Sequence, residues 1–121
     1  MPAVRVLIVD DHELFRRAVG ELIDDVEGFV IVASVGSGQR ALDVIAERPI
    51  DLVLMDVNMP GLNGIDASRQ IAERPRAPIV VLLSTYDASE IDATACGAAA
   101  YVSKLSFGAQ QLREVWAAVR R

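Results

Sequence analysis

The sequence predicts an α/β sandwich built around a parallel sheet. Two observations carry that prediction. Short apolar runs recur over residues 4–9, 30–35, 50–55, 79–83 and 99–102. Four of the five are rich in Val and Ile with little polar alternation, the pattern of strands covered on both faces. Segments with helical spacing fill the gaps and no long linker intervenes, so strand and helix alternate along the chain.

The first run, 4–9, leads into Asp10-Asp11, and a helix follows with Phe15, Ala18, Val19, Leu22 and Ile23 on its inner stripe. Arg16, Arg17, Glu21 and Asp24 are expected on its outer face. The second run ends in the turn Gly36-Ser37-Gly38, before a helix striped by Ala41, Leu42, Ile45 and Ala46. The third passes directly into Asp56 and then into Asn58, Pro60, Gly61, Asn63 and Gly64, residues that break a strand. A weaker stripe of Ile65, Ser68, Ile71 and Ala72 comes next. The fourth run ends in Ser84-Thr85, and residues 88–96 make a short, weakly patterned helix. Residues 99–102 are placed as a strand mainly by their position after Gly97, and they end in Ser103-Lys104. Leu112, Val115, Trp116 and Val119 stripe the last helix, where the spacing of Trp116 makes it core or interface and not a stacking platform.

Composition narrows the function classes. The 121 residues suit one domain with its own core, and 52% hydrophobic with 24% charged residues is a globular balance. A formal charge of −5, with basic residues scattered apart from Arg120-Arg121, argues against direct sequence-independent binding to nucleic acid. Cys96 stands alone, so there is no disulfide framework, and its neighbours offer no base to activate it. The N-terminus lacks the features of a signal peptide, and no run approaches the roughly 20 apolar residues of a membrane span. The expectation is a soluble, cytoplasmic protein that does not bind membranes.

In sheets of this class, function collects at the carboxyl ends of the strands. There the chain brings three carboxylates (Asp10, Asp11, Asp56), the hydroxyls of Ser84 and Ser103, and the Lys104 amine. Carboxylates so close must be relieved by proton sharing, by the amine or by a divalent cation. All-oxygen ligation favours magnesium. Blander readings stand beside this one: Asp10 or Asp11 as N-cap of the helix near Glu13, Lys104 as a solvated charge, Ser84 as an ordinary strand end. His12 is given no role.

The stretches "IVDDHELFRRAV", "LVLMDVNMPGLNG", "VVLLST" and "CGAAAYVSK" closely resemble the receiver domain of two-component response regulators. The likeness runs from Val4 to Trp116 and is nearest to the branch with a LuxR-type helix-turn-helix output domain. The resemblance implies a flavodoxin-like, doubly wound (βα)5 sandwich with strand order 2-1-3-4-5. It makes Asp56 the phospho-acceptor, Asp11 a direct magnesium ligand and Asp10 a ligand acting mainly through water. Asn58 would contribute its backbone carbonyl to the metal. Ser84 matches the switch hydroxyl, Tyr101 the switch aromatic and Lys104 the phosphate-pairing lysine. Magnesium is the implied cofactor, with manganese as a substitute. A sensor histidine kinase is the implied partner, with homodimerisation on activation. Residues 1–121 then form one receiver domain, and DNA is contacted only through an output domain beyond this chain.

Three departures from the family pattern stand out. Leu105 follows Lys104 where proline is common, Thr85 is bulkier than the usual small residue, and the segment from Ser84 to Gly97 is about two residues short. Thr85 would narrow access for water or a small phosphodonor. Two other classes compete. A haloacid dehalogenase-type phosphohydrolase needs a second acid two residues after its nucleophile, but Asn58 follows Asp56 at that spacing. A degenerate receiver, acting as a binding module without phosphorylation, would commonly have lost an acid or the lysine. A Rossmann dinucleotide site is excluded because "DDHELF" has no glycines.

Overall fold

The computed structural model describes residues 2–85 and 96–120. Five strands, β1 (Val4–Val9), β2 (Phe29–Val35), β3 (Leu52–Asp56), β4 (Ile79–Ser84) and β5 (Ala100–Ser103), form one sheet. All four pairings are parallel and the order is β2-β1-β3-β4-β5, as expected. The described helices are α1 (Glu13–Asp24), α2 (Gly38–Glu47), α3 (Gly64–Ala72) and α4 (Ala109–Val119), with one 3-10 turn at Lys104–Ser106. The helix expected over 88–96 falls outside the described residues, apart from Cys96.

Strand alternation divides the core in two. Leu7, Val9, Val53, Met55, Val80 and Leu82 pack with Ala41, Leu42, Ala67 and Ile71 of α2 and α3. Val6, Ile8, Leu52, Leu54, Val81 and Leu83 turn the other way, onto Val19 and Ile23 of α1 and Leu112 of α4. β3 is buried along its whole length because both its faces and both its edges are covered.

β2 corrects one expectation. Its Val-rich sequence reads as covered on both faces, yet it is the sheet edge, and Val30 is 45% exposed. Stripe details also shift. In α3 the buried positions are Gly64, Ala67, Ser68 and Ile71, so Ala67 replaces Ala72 on the inner face. Trp116 is half-buried, edge-on to Phe29 with ring centroids 6.5 Å apart, which bears out the packing role. Cys96 is buried as a small core residue.

Candidate functional site: an acidic rim closed by one lysine

β1 and β3 are sheet neighbours, so their carboxyl ends bring Asp10 and Asp56 side by side. Both are buried, at 1% and 4% exposure. Asp10 is anchored through its backbone: its N–H donates to the Val35 carbonyl (3.1 Å), and its own carbonyl accepts from Arg16 Nη1 (2.7 Å). Arg16 therefore turns back onto the rim, where the helical pattern had placed it outward.

The capping reading of the acid pair does not hold. His12 occupies the N-cap of α1 and its side chain caps nothing. Asp10 Oδ1 instead accepts from the His12 backbone N–H at 2.8 Å, a local turn that ends the strand and aims the carboxylate inward. The His12 ring lies across the mouth of the site, Nδ1 standing 3.0 Å from Asp10 Oδ1 and 3.3 Å from Asp11 Oδ1. Sequence reasoning passed over His12. The available signal was an Asp two residues upstream at a strand end, a spacing that invites this turn.

The strand-breaking run after Asp56 carries the chain out and back again. Val57 N–H still pairs with Leu83 O at 3.0 Å, and the chain then turns out through Gly61, whose φ is +75°. It returns at Gly64, whose N–H donates to Val57 O at 2.9 Å. A β-carbon on Gly64 would collide with the Asp56 carbonyl oxygen, so the return requires glycine there. Asn63 caps α3, its Oδ1 accepting from Asp66 N–H at 2.9 Å. The Asn58 backbone N–H reaches Asp56 Oδ1 at 3.4 Å.

Lys104 enters from the end of β5. Its Nζ lies 2.5 Å from Asp10 Oδ2 and 3.3 Å from Asp56 Oδ1, and its side chain is only 10% exposed. The solvated-lysine reading is thereby excluded. Burial pushes the Asp56 carboxyl above its ordinary range, the Asp10 charge adds to this, and Lys104 opposes both.

Ser84, at the end of β4, is buried and pairs in register with Ser103. The Tyr101 hydroxyl donates to the Ser84 carbonyl at 3.4 Å, and Thr85 beyond it is exposed. No cis peptide bond occurs among the described residues, and Leu105 continues into the 3-10 turn. A separate cleft of about 760 Å³, lined by Arg5, Arg48, Asp51 and Arg74 among others, holds none of the predicted site residues.

The donor set suits a hard divalent cation. Asp10, Asp11, His12 and Asp56 each offer an atom within 4.8 Å of the others. Buried Asp10 Oδ2 accepts no hydrogen bond, its close contact with Lys104 being an ion pair without hydrogen-bond alignment. Three carboxylates against one ammonium leave an excess of two negative charges, which a single divalent ion would balance.

A doubly wound parallel sheet with acids on adjacent strand ends and a buried lysine facing them is the arrangement expected of a receiver domain. Residues 6–117 match the model for the response regulator receiver domain, and the chain belongs to that family. It is 34% identical over 103 residues to response regulator UvrY of Escherichia coli K12, covering 84% of this chain and 47% of that protein. The receiver domain of the response regulator NarL from Mycobacterium tuberculosis superposes with a TM-score of 0.90 at 28% identity, over 98% of each chain. A LuxR-family response regulator from Aurantimonas gives 0.86 at 29% identity, covering 97% of this chain and 85% of that one. The likeness to the branch with a LuxR-type output domain is thus supported. The chain spans about half the length of the curated relatives it matches. Among the described residues, no helix is long and apolar enough to cross a membrane.

Proposed function

We propose that this domain accepts a phosphoryl group on Asp56 from a sensor histidine kinase and that the adduct switches its surface. The observation that carries the reading is Lys104 Nζ lying within 3.3 Å of both Asp10 and Asp56 in a nearly closed rim. An Asp56 oxygen attacks phosphorus in line with the donor imidazole. The new O–P bond forms as the P–N bond breaks, the bonding pair leaves with the nitrogen, and a solvent proton completes neutral imidazole. Lys104 meets the charge on the equatorial oxygens, so catalysis is mainly positioning and electrostatics.

Asp10, Asp11, Asp56 and the Asn58 carbonyl would hold magnesium or manganese, which supplies charge neutralisation for the transferring group. Water attack at phosphorus later releases inorganic phosphate and restores the carboxylate. Ser84 donates to a phosphoryl oxygen and Tyr101 follows it inward, a population shift driven by the adduct's preference for one state. Exposed Thr85 restricts access to the adduct. In the full-length protein the domain controls a DNA-binding output region and dimerises when phosphorylated.

Docking of the kinase is supported by Leu14 and Leu105, 78% and 84% exposed. They adjoin Phe15 and Lys104, which touch each other, so the two leucines frame the approach to the rim. The test is phosphorylation by a small phosphodonor with magnesium, read by intact mass. Wild type should gain one phosphoryl group and Asp56→Asn none; equal labelling of the variant would remove Asp56 from its role.

A further inference from the structure

Lys104 is the only lysine in the chain; the other eleven cationic side chains are all arginine. A compact ammonium is therefore kept at one position, and its placement depends on more than the carboxylates it meets. Phe15, in the first turns of α1, presents its ring face to Lys104, with Nζ 4.4 Å from the ring centroid. On the other side, the lysine opens the 3-10 turn Lys104–Ser106, which Ser103 caps: Ser103 Oγ accepts the Leu105 N–H at 3.2 Å.

We infer that Phe15 and Ser103 are positioning residues for Lys104, with the Phe15 π-face holding the ammonium at the rim and the Ser103 cap fixing the backbone from which it reaches. The inference rests on the reading of Lys104 as the phosphoryl-pairing group. The physical case is one of direction. Two carboxylates attract an ammonium but do not set its angle of approach, and a four-carbon stem has rotamer freedom to spend. A ring face on the third side removes that freedom, and because the site is nearly closed to water the attraction exceeds that of an exposed pair. Leucine at position 15 would fill similar space without a quadrupole, so packing and cation–π roles are separable.

The cap follows from Leu105 having an N–H to donate. Ser103 is also the register partner of Ser84, so the cap sits where β5 meets the site.

The experiment uses protein labelled only at lysine, which gives a single side-chain signal. In wild type the Lys104 ε-CH2 protons should lie upfield of a free lysine because of the ring current. Phe15→Leu should return them to the free position, and Phe15→Tyr should preserve the shift. With a small phosphodonor and magnesium, Phe15→Leu should lower the saturated rate about three- to tenfold with little change in half-saturating donor. Phe15→Tyr should retain the wild-type rate, and Ser103→Ala should fall between.

If Leu and Tyr behave alike in both measurements, the ring is only filler and the inference fails. If Ser103→Ala matches wild type, the cap has no part in it. If wild type shows the ring-current shift but takes no phosphoryl group, the proposed function fails while the contact itself stands.

Discussion

Asp10 and Asp56 lie on adjacent strand ends and share one ammonium, Lys104 Nζ standing 2.5 Å from the first and 3.3 Å from the second. Two buried carboxylates held by one cation form a site with stored repulsion. Its cost to the fold should be measurable.

Removing the charge on Asp56 should stabilise the metal-free protein. The Asp56 carboxyl is raised in the fold, so the folded state holds a proton more readily than the unfolded state, and this group lowers stability as pH rises through that window. Asp56→Asn in chelator should gain about 0.5–2 kcal/mol at neutral pH. The gain should shrink as pH falls through the raised folded value and vanish only below the ordinary aspartate range, where the carboxyl is protonated in both states. Urea titrations at several pH values check this, and a constant difference would contradict it.

Lys104→Met should do the opposite. It removes the cation from two buried acids and should cost about 3 kcal/mol in chelator. Magnesium should recover part of the loss by neutralising the same charges, read as a rise in melting temperature larger than wild type shows.

Gly64→Ala tests the return of the loop. Its new methyl group would meet the Asp56 carbonyl and the Val57 backbone, and neither can move without disturbing β3. A loss of at least about 2 kcal/mol is expected, together with weakened magnesium binding. Gly28→Ala, where nothing lies within 4 Å, should show only the strain of its φ of +93° and leave metal binding unchanged.

At the amino ends of β1 and β3, opposite the rim, Arg5 Nε and Nη2 grip the two Asp51 oxygens at 2.9 Å, which holds the Asp51 carboxyl below its ordinary value. A lowered carboxyl contributes stability that is present at neutral pH and lost as pH falls through the folded value. Asp51→Asn should therefore be modestly less stable than wild type at pH 7 and indistinguishable from it in strong acid. Thermal melts across that range decide.

Leu105→Asp should separate donor from chemistry. Phosphotransfer from a cognate kinase should fall by tenfold or so, as for loss of an interface anchor, while labelling by a small phosphodonor persists. Equal loss with both donors would place Leu105 in the chemistry and not in docking.

Much of this was legible in the sequence because parallel strands announce themselves. Val- and Ile-rich runs located four strands to within about two residues, the fifth was placed by its position after Gly97, and strand ends then put Asp10, Asp56, Ser84 and Lys104 together. What was not legible depended on three-dimensional neighbours. β2 reads as buried because its composition suits a strand, but only the sheet order reveals it as an edge. Arg16 reads as outward because periodicity is blind to a long side chain that doubles back to a carbonyl. The His12 turn is a backbone event that residue patterns capture poorly. The Phe15 contact joins α1 to the end of β5, which lie far apart in the sequence.

The uniqueness of Lys104 also makes the protein its own reporter of local opening. An endoproteinase specific for lysine has a single target, the Lys104–Leu105 bond, whose leucine is solvent-exposed while its lysine is docked at the rim. Scission requires the ammonium to leave its place. The clipping rate therefore clocks how often the rim comes apart, and any agent that tightens it should slow the clock at that one bond.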